Sequence, residues 1–272
     1  MSRVASKKHE PDRSKHDYED HNDLISNLLH NNDFESMSAE NILNWATNNF
    51  KTNRVVLSTS FQYSGVAMID MICRFGLSMR IATVDTLRLH EETYDYIRKL
   101  EQHYDTKIEI HQPNPEQIDS MVDRFGEYLF FDSKAKQEYC CQVRKLRPHN
   151  DLLKTVDCWM SGTRRDQSLL RQRSTPKAML VTEDGSHRQI LKLNPMADWT
   201  EEHLLKYVEK NQVPTHPLYG KGYRSIGCVI CSTPTMPGED QRTGRWRWFN
   251  HDEKVDGEEA KECGLHVPVF NI

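Results

Sequence analysis

The sequence predicts an α/β fold built around a parallel sheet. Short, uninterrupted apolar runs at 54–60 and 79–85 are typical of strands that are buried on both faces. Segments with helical periodicity alternate with such runs, and this alternation predicts parallel strands joined by right-handed crossovers. Ligands of such sheets bind beyond the carboxyl ends of the strands. We therefore expect function in the loops at 58–65, 85–91 and 161–173.

The segment before the sheet divides into a tail and two helices. Residues 1–22 are almost entirely charged or polar and predict a mobile tail. Helical patterns follow at 21–32 and 38–50, and Ser38 followed by Asn41 is typical of a helix start.

Further strands and helices continue the alternation along the chain. Strands are predicted at 107–113 and 157–163, and helices at 64–76, 90–104 and 115–126. After residue 174 the pattern changes, because Asp184-Gly185 between two apolar runs predicts a β-hairpin over 179–193. An amphipathic helix is predicted at 200–212.

From Val213 onward the chain is rich in Gly, Pro, Arg and aromatic residues and shows little periodicity. A loop region of this length in a compact chain usually carries function. We assign residues 23–250 to one α/β domain with a loop-rich end, and residues 251–272 to a C-terminal arm.

Composition narrows the class of protein. The 272 residues include 36 Lys and Arg against 40 Asp and Glu, a formal charge of −4, which disfavours a general nucleic-acid binder. No stretch reaches the ~18 apolar residues of a membrane span, and the N-terminal residues lack the apolar core of a secretory signal. An odd count of seven cysteines without an export signal disfavours a disulfide framework. We therefore expect a cytoplasmic protein.

Four of the cysteines form two pairs suited to a metal centre. Cys140-Cys141 lies in a predicted helix at 132–146, and Cys228-Val-Ile-Cys231 is a CxxC turn. Adjacent cysteines on a helix point ~100° apart, so both reach a bulky centre more easily than a small ion. The pattern favours a [4Fe–4S] cluster over zinc, although spacing alone leaves a structural zinc site and unrelated core cysteines open. Cys73 and Cys158 fit apolar faces and are predicted core residues.

Cys263 stands apart near the C-terminus, where it can sit on a flexible arm. Lys261 and His266 are placed to lower its pKa and so provide a thiolate, the reactive form of cysteine. The alternative is a buried terminal cysteine without chemistry.

Two kinds of segment indicate an anion site. Ser58 and Ser60 lie in a hydroxyl-rich run that follows a strand and opens a helix, where free N–H groups attract anions. The segments 162–171 and 238–245 concentrate arginines, which bind phosphate and sulfate oxygens in a bidentate manner. The alternatives are a solvated charged surface and, where arginine alternates with tryptophan, a base-stacking surface.

Together these segments identify the chain as resembling the assimilatory sulfonucleotide reductases, specifically the iron–sulfur adenylyl-sulfate (APS) reductases of bacteria. The matching motifs occur in the family's order over roughly residues 54–266: STSF at 58–61, DTLRLHEETY at 85–94, Cys140-Cys141 with Lys145, GTRRDQS at 162–168, HPLYGKGYRSIGCVIC at 216–231, GEDQRTGRW at 238–246 and KECGLH at 261–266.

The resemblance implies an adenine-nucleotide α-hydrolase-like domain that reduces adenosine 5′-phosphosulfate to sulfite and AMP in sulfate assimilation and cysteine biosynthesis. It implies that Cys263 attacks the sulfate sulfur to form an S-sulfocysteine, from which thioredoxin or a similar dithiol protein releases sulfite. It further implies a [4Fe–4S] cluster held by Cys140, Cys141, Cys228 and Cys231. The implied phosphosulfate-binding residues are Lys145, Arg171, Arg242 and Arg245, with His266 near the reacting sulfur. We expect a homo-oligomer without nucleic-acid or membrane partners.

One position departs from the family pattern. The second loop reads Asp85-Thr86-Leu87-Arg88, where the family more often has glycine at the third position, so the backbone contact to adenine there is in question. The nearest alternative function is reduction of the 3′-phosphorylated nucleotide (PAPS), or use of both nucleotides. An RNA-binding zinc module and an ATP-using adenylyltransferase are the alternatives from other classes.

Overall fold

A computed structural model describes residues 15–183, 185–239 and 241–249. The helices are α1 (Glu19–His30), α2 (Ala39–Asn49), α3 (Tyr63–Arg74), α4 (Glu91–Tyr104), α5 (Pro115–Phe125), α6 (Lys134–Cys141), α7 (Arg147–Leu153), α8 (Leu169–Ser174) and α9 (Glu201–Lys210). The strands are β1 (Val55–Ser58), β2 (Arg80–Val84), β3 (Glu109–His111), β4 (Cys158–Met160), β5 (Ala178–Thr182) and β6 (Gln189–Leu193).

The strands form one sheet in the order β3-β2-β1-β4-β6-β5. Neighbouring strands from β3 to β6 run parallel, and β5 pairs with β6 in the antiparallel direction. The predicted mostly parallel α/β fold is therefore confirmed, including the hairpin at 179–193. β1 lies at the centre with β2 and β4 on its two sides, so the chain reverses direction across the sheet beside β1. Crevices of this kind are where parallel sheets bind ligands.

The core follows from the apolar runs. Val55, Val56 and Leu57 of β1 are fully buried, as are Cys158 and Met160 of β4, which confirms Cys158 as a core residue. Each Å² of apolar surface that is buried contributes about 25 cal/mol, so these central strands stabilise the domain directly.

Helix α1 begins earlier than the sequence indicates. Residues 19–22, assigned to the tail by their polarity, belong to α1, and two of them hydrogen-bond to the start of β6. His21 Nε2 donates to the carbonyl of Gln189 at 2.8 Å, and the backbone N–H of Gln189 donates to Asn22 Oδ1 at 2.8 Å. The start of α1 is polar because hydrogen bonds and not apolar contacts hold it in place. Its composition therefore resembles that of a mobile tail, and the start of the helix was predicted too late. Within the described part of the chain, no helix is both long and apolar enough to cross a membrane.

Candidate active site and cysteine cavity

A pocket of about 140 Å³ opens beyond the carboxyl ends of the central strands. Its walls include residues that end or follow β1, β2 and β4, among them Ser58, Ser60, Thr83, Ser161 and Gly162. Two of the three loops expected from the sequence, 58–65 and 161–173, thus line one pocket. The loop 85–91 lies beside a second cavity, described below.

The loop after β1 is shaped to present the start of α3 to the pocket. Phe61 adopts a left-handed conformation with φ 57°, and its N–H donates to Thr59 Oγ1 at 3.0 Å. A Cβ on Gly65 would lie 3.0 Å from Thr59 Cβ, so glycine allows the loop to fold against the helix. The N-cap residue Gln62 makes no side-chain cap hydrogen bond. Gln62, Ser64 and Gly65 line the pocket, so the positive end of the α3 dipole lies at the pocket wall, where it favours an anion.

Four cationic side chains line this pocket: Lys145, Arg171, Arg242 and Arg245. No carboxylate occurs among the described residues of its lining. The chain is acidic overall, but this pocket concentrates positive charge, which suits a ligand with two adjacent anionic groups.

Two other arginines of the same sequence region have structural roles. Arg164 pairs with Asp166 at 2.9 Å and donates to Ser64 Oγ at 2.7 Å. Arg165 pairs with Glu35 at 2.6 Å on the far side of the loop. Of the arginines at 162–171, it is therefore Arg171 that reaches the pocket.

The base of the pocket contains a group that the sequence analysis missed. His149 is 3% exposed, and its ring meets the Trp159 ring edge-on at 4.7 Å between centroids. The ammonium of Lys192 lies 4.6 Å from the centroid of the same indole. Burial, together with Lys145 and Lys192, lowers the pKa of His149 to about 3, so its ring is neutral at pH 7. His149 follows Lys145 by four residues on a helical segment, which places the two side chains on the same face. This spacing could have predicted His149 as a pocket residue.

A second cavity of about 70 Å³ lies beside the pocket and is lined by Cys140, Cys141, Cys228 and Cys231. The first pair ends α6, which continues into a π-helical turn over Gln142–Leu146. The second pair lies in irregular chain, where the N–H of Val229 donates to the carbonyl of Arg88 at 2.8 Å. The structure thus brings together two cysteine pairs that lie almost ninety residues apart in the sequence.

Polar groups surround these sulfurs. Thr86 Oγ1 lies 3.2 Å from Cys228 Sγ, and Gln137 Nε2 donates to Cys141 Sγ at 3.1 Å. Burial raises the pKa of Cys231 to about 12 and also raises that of Cys140, which the neighbouring Arg144 partly offsets. Thiols in such surroundings are thiolates when a cationic centre binds them.

The donor chemistry of this cavity suits a soft metal centre, since all four donors are sulfur. Among the residues that the structure describes, no three His, Cys, Asp or Glu side chains converge closely enough to ligate one metal ion.

The two cavities share a wall. Lys145 and Arg245 line both of them, as do Ser60, Val84 and Ile226. Charge placed in the cysteine cavity is consequently felt in the strand-end pocket through side chains common to both.

Six of the predicted substrate-binding residues lie in the one pocket: Ser58, Ser60, Lys145, Arg171, Arg242 and Arg245. The four predicted metal ligands lie in the adjoining cavity. Cys263 and His266, together with the rest of the predicted C-terminal arm at 251–272, fall outside the described residues.

Comparison with known sequences identifies the family. Residues 54–234 match the phosphoadenosine phosphosulfate reductase domain. A protein of Allochromatium vinosum named adenosine 5′-phosphosulfate reductase is 38% identical over 216 residues, which cover 79% of this chain and 80% of the relative. A protein of the same name from Burkholderia cepacia is 35% identical over 218 residues, covering 80% of this chain and 82% of the relative.

Solved structures agree on the fold. The phosphoadenylyl-sulfate (PAPS) reductase of Candida auris in a phosphate complex matches with a TM-score of 0.59 and 24% identity, over 79% of this chain and 97% of that one. The FMN adenylyltransferase of Candida glabrata matches with a TM-score of 0.50 and 11% identity, over 72% of this chain and 62% of that one. Both therefore support the same α/β architecture and no more.

Proposed function

The chain belongs to the phosphoadenosine phosphosulfate reductase family, and on that premise we propose that it reduces adenosine 5′-phosphosulfate (APS) to sulfite and AMP in sulfate assimilation. The observation that carries the proposal is the strand-end pocket, which combines four cationic side chains with a lining free of carboxylates among its described residues. Relatives that share 35–38% of their residues over about 80% of the chain carry the name of this activity.

The pocket residues would act by binding and charge screening. A thiolate that approaches a sulfate group is repelled strongly at ~4 Å when the surroundings have a low dielectric constant. Arg171, Arg242, Arg245 and Lys145 would offset this repulsion and hold the departing phosphate. The helix dipole of α3 adds to the same effect at the phosphate end.

We assign the covalent step to Cys263. Its thiolate would form a bond to the sulfate sulfur while the bond from that sulfur to the bridging oxygen breaks, and AMP would leave with the electron pair. A thiolate of an external dithiol protein would then attack Cys263 Sγ and release sulfite, and its second thiol would free Cys263 by forming a disulfide. His266 would lie near the reacting sulfur.

The four-cysteine cavity would hold a [4Fe–4S] cluster. Four sulfur donors that line one cavity match the all-cysteine ligand set of an iron–sulfur cluster. When bound, the cluster would supply a charged centre whose field reaches the pocket, without exchanging electrons during turnover. Lys145, which lines both cavities, would orient its ammonium toward the phosphosulfate.

Mass spectrometry tests the covalent step. Enzyme mixed with APS in the absence of reductant is expected to gain a sulfonate-sized adduct on the peptide that contains Cys263. Cys263→Ser should abolish both the adduct and sulfite formation while AMP still binds, whereas Cys73→Ser, a cysteine outside both cavities, should retain activity. Sulfite formation by the Cys263→Ser variant would overturn the mechanism.

Reduction of PAPS is the second candidate function, because the matching family is named for the 3′-phosphorylated nucleotide. The four cysteines favour APS, since cluster-free members of the family use PAPS and lack both pairs. Comparing kcat/KM for the two nucleotides decides between them, and equal values would indicate dual use.

The partners proposed for this reaction are thioredoxin or a similar dithiol protein and a second copy of the chain in a homo-oligomer. A cytoplasmic location fits the seven cysteines, since thiol chemistry of this kind needs a reducing compartment.

A further inference from the structure

The glycine before Cys228 lies against the guanidinium of Arg245. A Cβ on Gly227 would lie 2.6 Å from both Cζ and Nη2 of Arg245, and closer still to Nη1. These distances are far inside van der Waals contact, so the present position of the guanidinium depends on the missing side chain at 227. No left-handed backbone angle occurs at Gly227, so conformation does not require glycine there.

The guanidinium of Arg245 is restricted on one further side by the Trp246 ring. Its Cζ lies 4.8 Å from the centroid of the Trp246 ring, and its backbone pairs with Ser232 in an isolated bridge. Arg245 is 9% exposed and lines both the strand-end pocket and the cysteine cavity. A guanidinium held between an indole and a bare stretch of backbone has its direction fixed by packing.

We propose that Gly227 is a positioning residue for Arg245, and that its lack of a side chain lets the guanidinium lie between the cysteine cavity and the anion in the pocket. The loop that carries Cys228 therefore also determines where a substrate-binding cation sits. This inference deepens the proposed function and rests on it for the identity of the anion.

The proposed role predicts an unusual pattern of effects for Gly227→Ala. The displaced group is the far end of a flexible side chain, so the new methyl group can be accommodated by moving the guanidinium at little cost in stability. Anion binding depends on where that guanidinium lies and should suffer instead. Gly220 provides a matched control, because a Cβ there meets no atom within 4 Å and Gly220 lies outside both cavities.

The first test needs no ligand. In NMR spectra of the full chain, the Nε–Hε signal of Arg245, assigned by its loss in Arg245→Lys, reports ring currents from Trp246. Gly227→Ala should shift this signal and Gly220→Ala should leave it unchanged. An unmoved signal in Gly227→Ala would overturn the positioning role, whatever reaction the protein catalyses.

The second test measures AMP binding by titration calorimetry. Gly227→Ala should weaken AMP binding roughly 10- to 100-fold, the effect of losing a hydrogen bond to a charged group, and Gly220→Ala should bind as the wild type does. In an Arg245→Lys background the same Gly227→Ala change should have little further effect. Equal losses in both backgrounds would contradict the inference. If the Arg245 signal moves but the wild type binds no AMP, the proposed function fails and the positioning role stands.

Measuring the iron content of the variants tests whether Gly227→Ala disturbs the neighbouring Cys228. If the single variant loses iron, Gly227→Ala combined with Arg245→Lys should recover it, because the shorter cation removes the steric conflict. Iron loss in both variants would show that glycine serves the cysteine loop and not Arg245.

Discussion

The two adjoining cavities are built in different ways. The strand-end pocket is bounded on one side by the ends of β1, β2 and β4, whose side chains are mostly buried. The cysteine cavity is formed mainly by the end of α6 with its π-helical turn and by irregular chain at 226–239 and 241–246, and these segments also supply Lys145, Arg242 and Arg245 to the pocket. The comparison teaches that the strand side of the pocket depends on the sheet, whereas the proposed metal centre would stabilise the cysteine cavity.

Replacing one of the four cysteines proposed to hold the cluster should have the largest effect on stability. That effect should be concentrated in the segments that form the cysteine cavity. Cys140→Ser is expected to lose iron and several kcal/mol of unfolding free energy, since metal binding in such sites contributes directly to folding. Hydrogen exchange should accelerate at 134–146 and 226–249 while β1 and β4 stay protected. Cys73→Ser should retain its iron. Equal loss of protection in the central strands would contradict the comparison.

Removing a pocket cation should affect ligand binding and leave the fold intact. Arg171→Met is expected to weaken AMP binding by about 1.5–3 kcal/mol, the value of a hydrogen bond to a charged group. Isothermal titration measures this loss, with Arg98→Met on the exposed face of α4 as the control. The iron content of both variants should equal that of the wild type, and iron loss in Arg171→Met would show that the two regions are not independent.

The buried histidine at the base of the pocket should make the unfolding free energy of the protein depend on pH. The pKa of His149 is held at about 3 in the folded protein, mainly by burial, against about 6.5 when unfolded. The unfolded state therefore binds an extra proton below pH 6.5, and stability should fall as pH drops, by up to ~1.4 kcal/mol per pH unit from this group.

Denaturant titrations between about pH 5 and 7.5 check this prediction, because this range spans the pKa of about 6.5 that histidine has in the unfolded chain. In His149→Gln the unfolding free energy should vary less with pH below about pH 6.5. Above that pH, the difference in unfolding free energy between the variant and the wild type should stay constant. His216, whose pKa is lowered to about 4 by burial, contributes a remaining slope in both proteins. An unchanged slope in His149→Gln would show that folding does not lower the pKa of His149.

The smallest effect concerns the loop at 85–91 beside the cysteine cavity. Leu87 has a left-handed backbone with φ 58° and is 45% exposed, so its Cβ is strained while its side chain is only half buried. The strain costs roughly 1–2 kcal/mol for residues with a Cβ. Leu87→Gly should therefore be more stable than Leu87→Ala by about 1 kcal/mol, in thermal unfolding of both variants, because both lose the side chain and only glycine relieves the strain. A more stable alanine variant would show that the loop carries no strain.

Much of the fold followed from local patterns. The buried runs at 54–60 and 79–85, the Asp184-Gly185 turn and the Ser38 cap each specify their elements through interactions within a few residues. Residues 19–22 were misassigned because His21 and Asn22 hydrogen-bond to the start of β6, which is distant in sequence, a contact that composition does not reveal.

By itself, the sequence determined the alternation of strands and helices, the two cysteine pairs and the family to which the chain belongs, because periodicity and motif spacing are local properties. Only the tertiary structure decided that the four predicted cations meet in one pocket, that His149 is neutral at its base, and that a side chain at position 227 would displace Arg245. These properties depend on distances between residues far apart in the chain, where burial and neighbouring charge set the energy of each group.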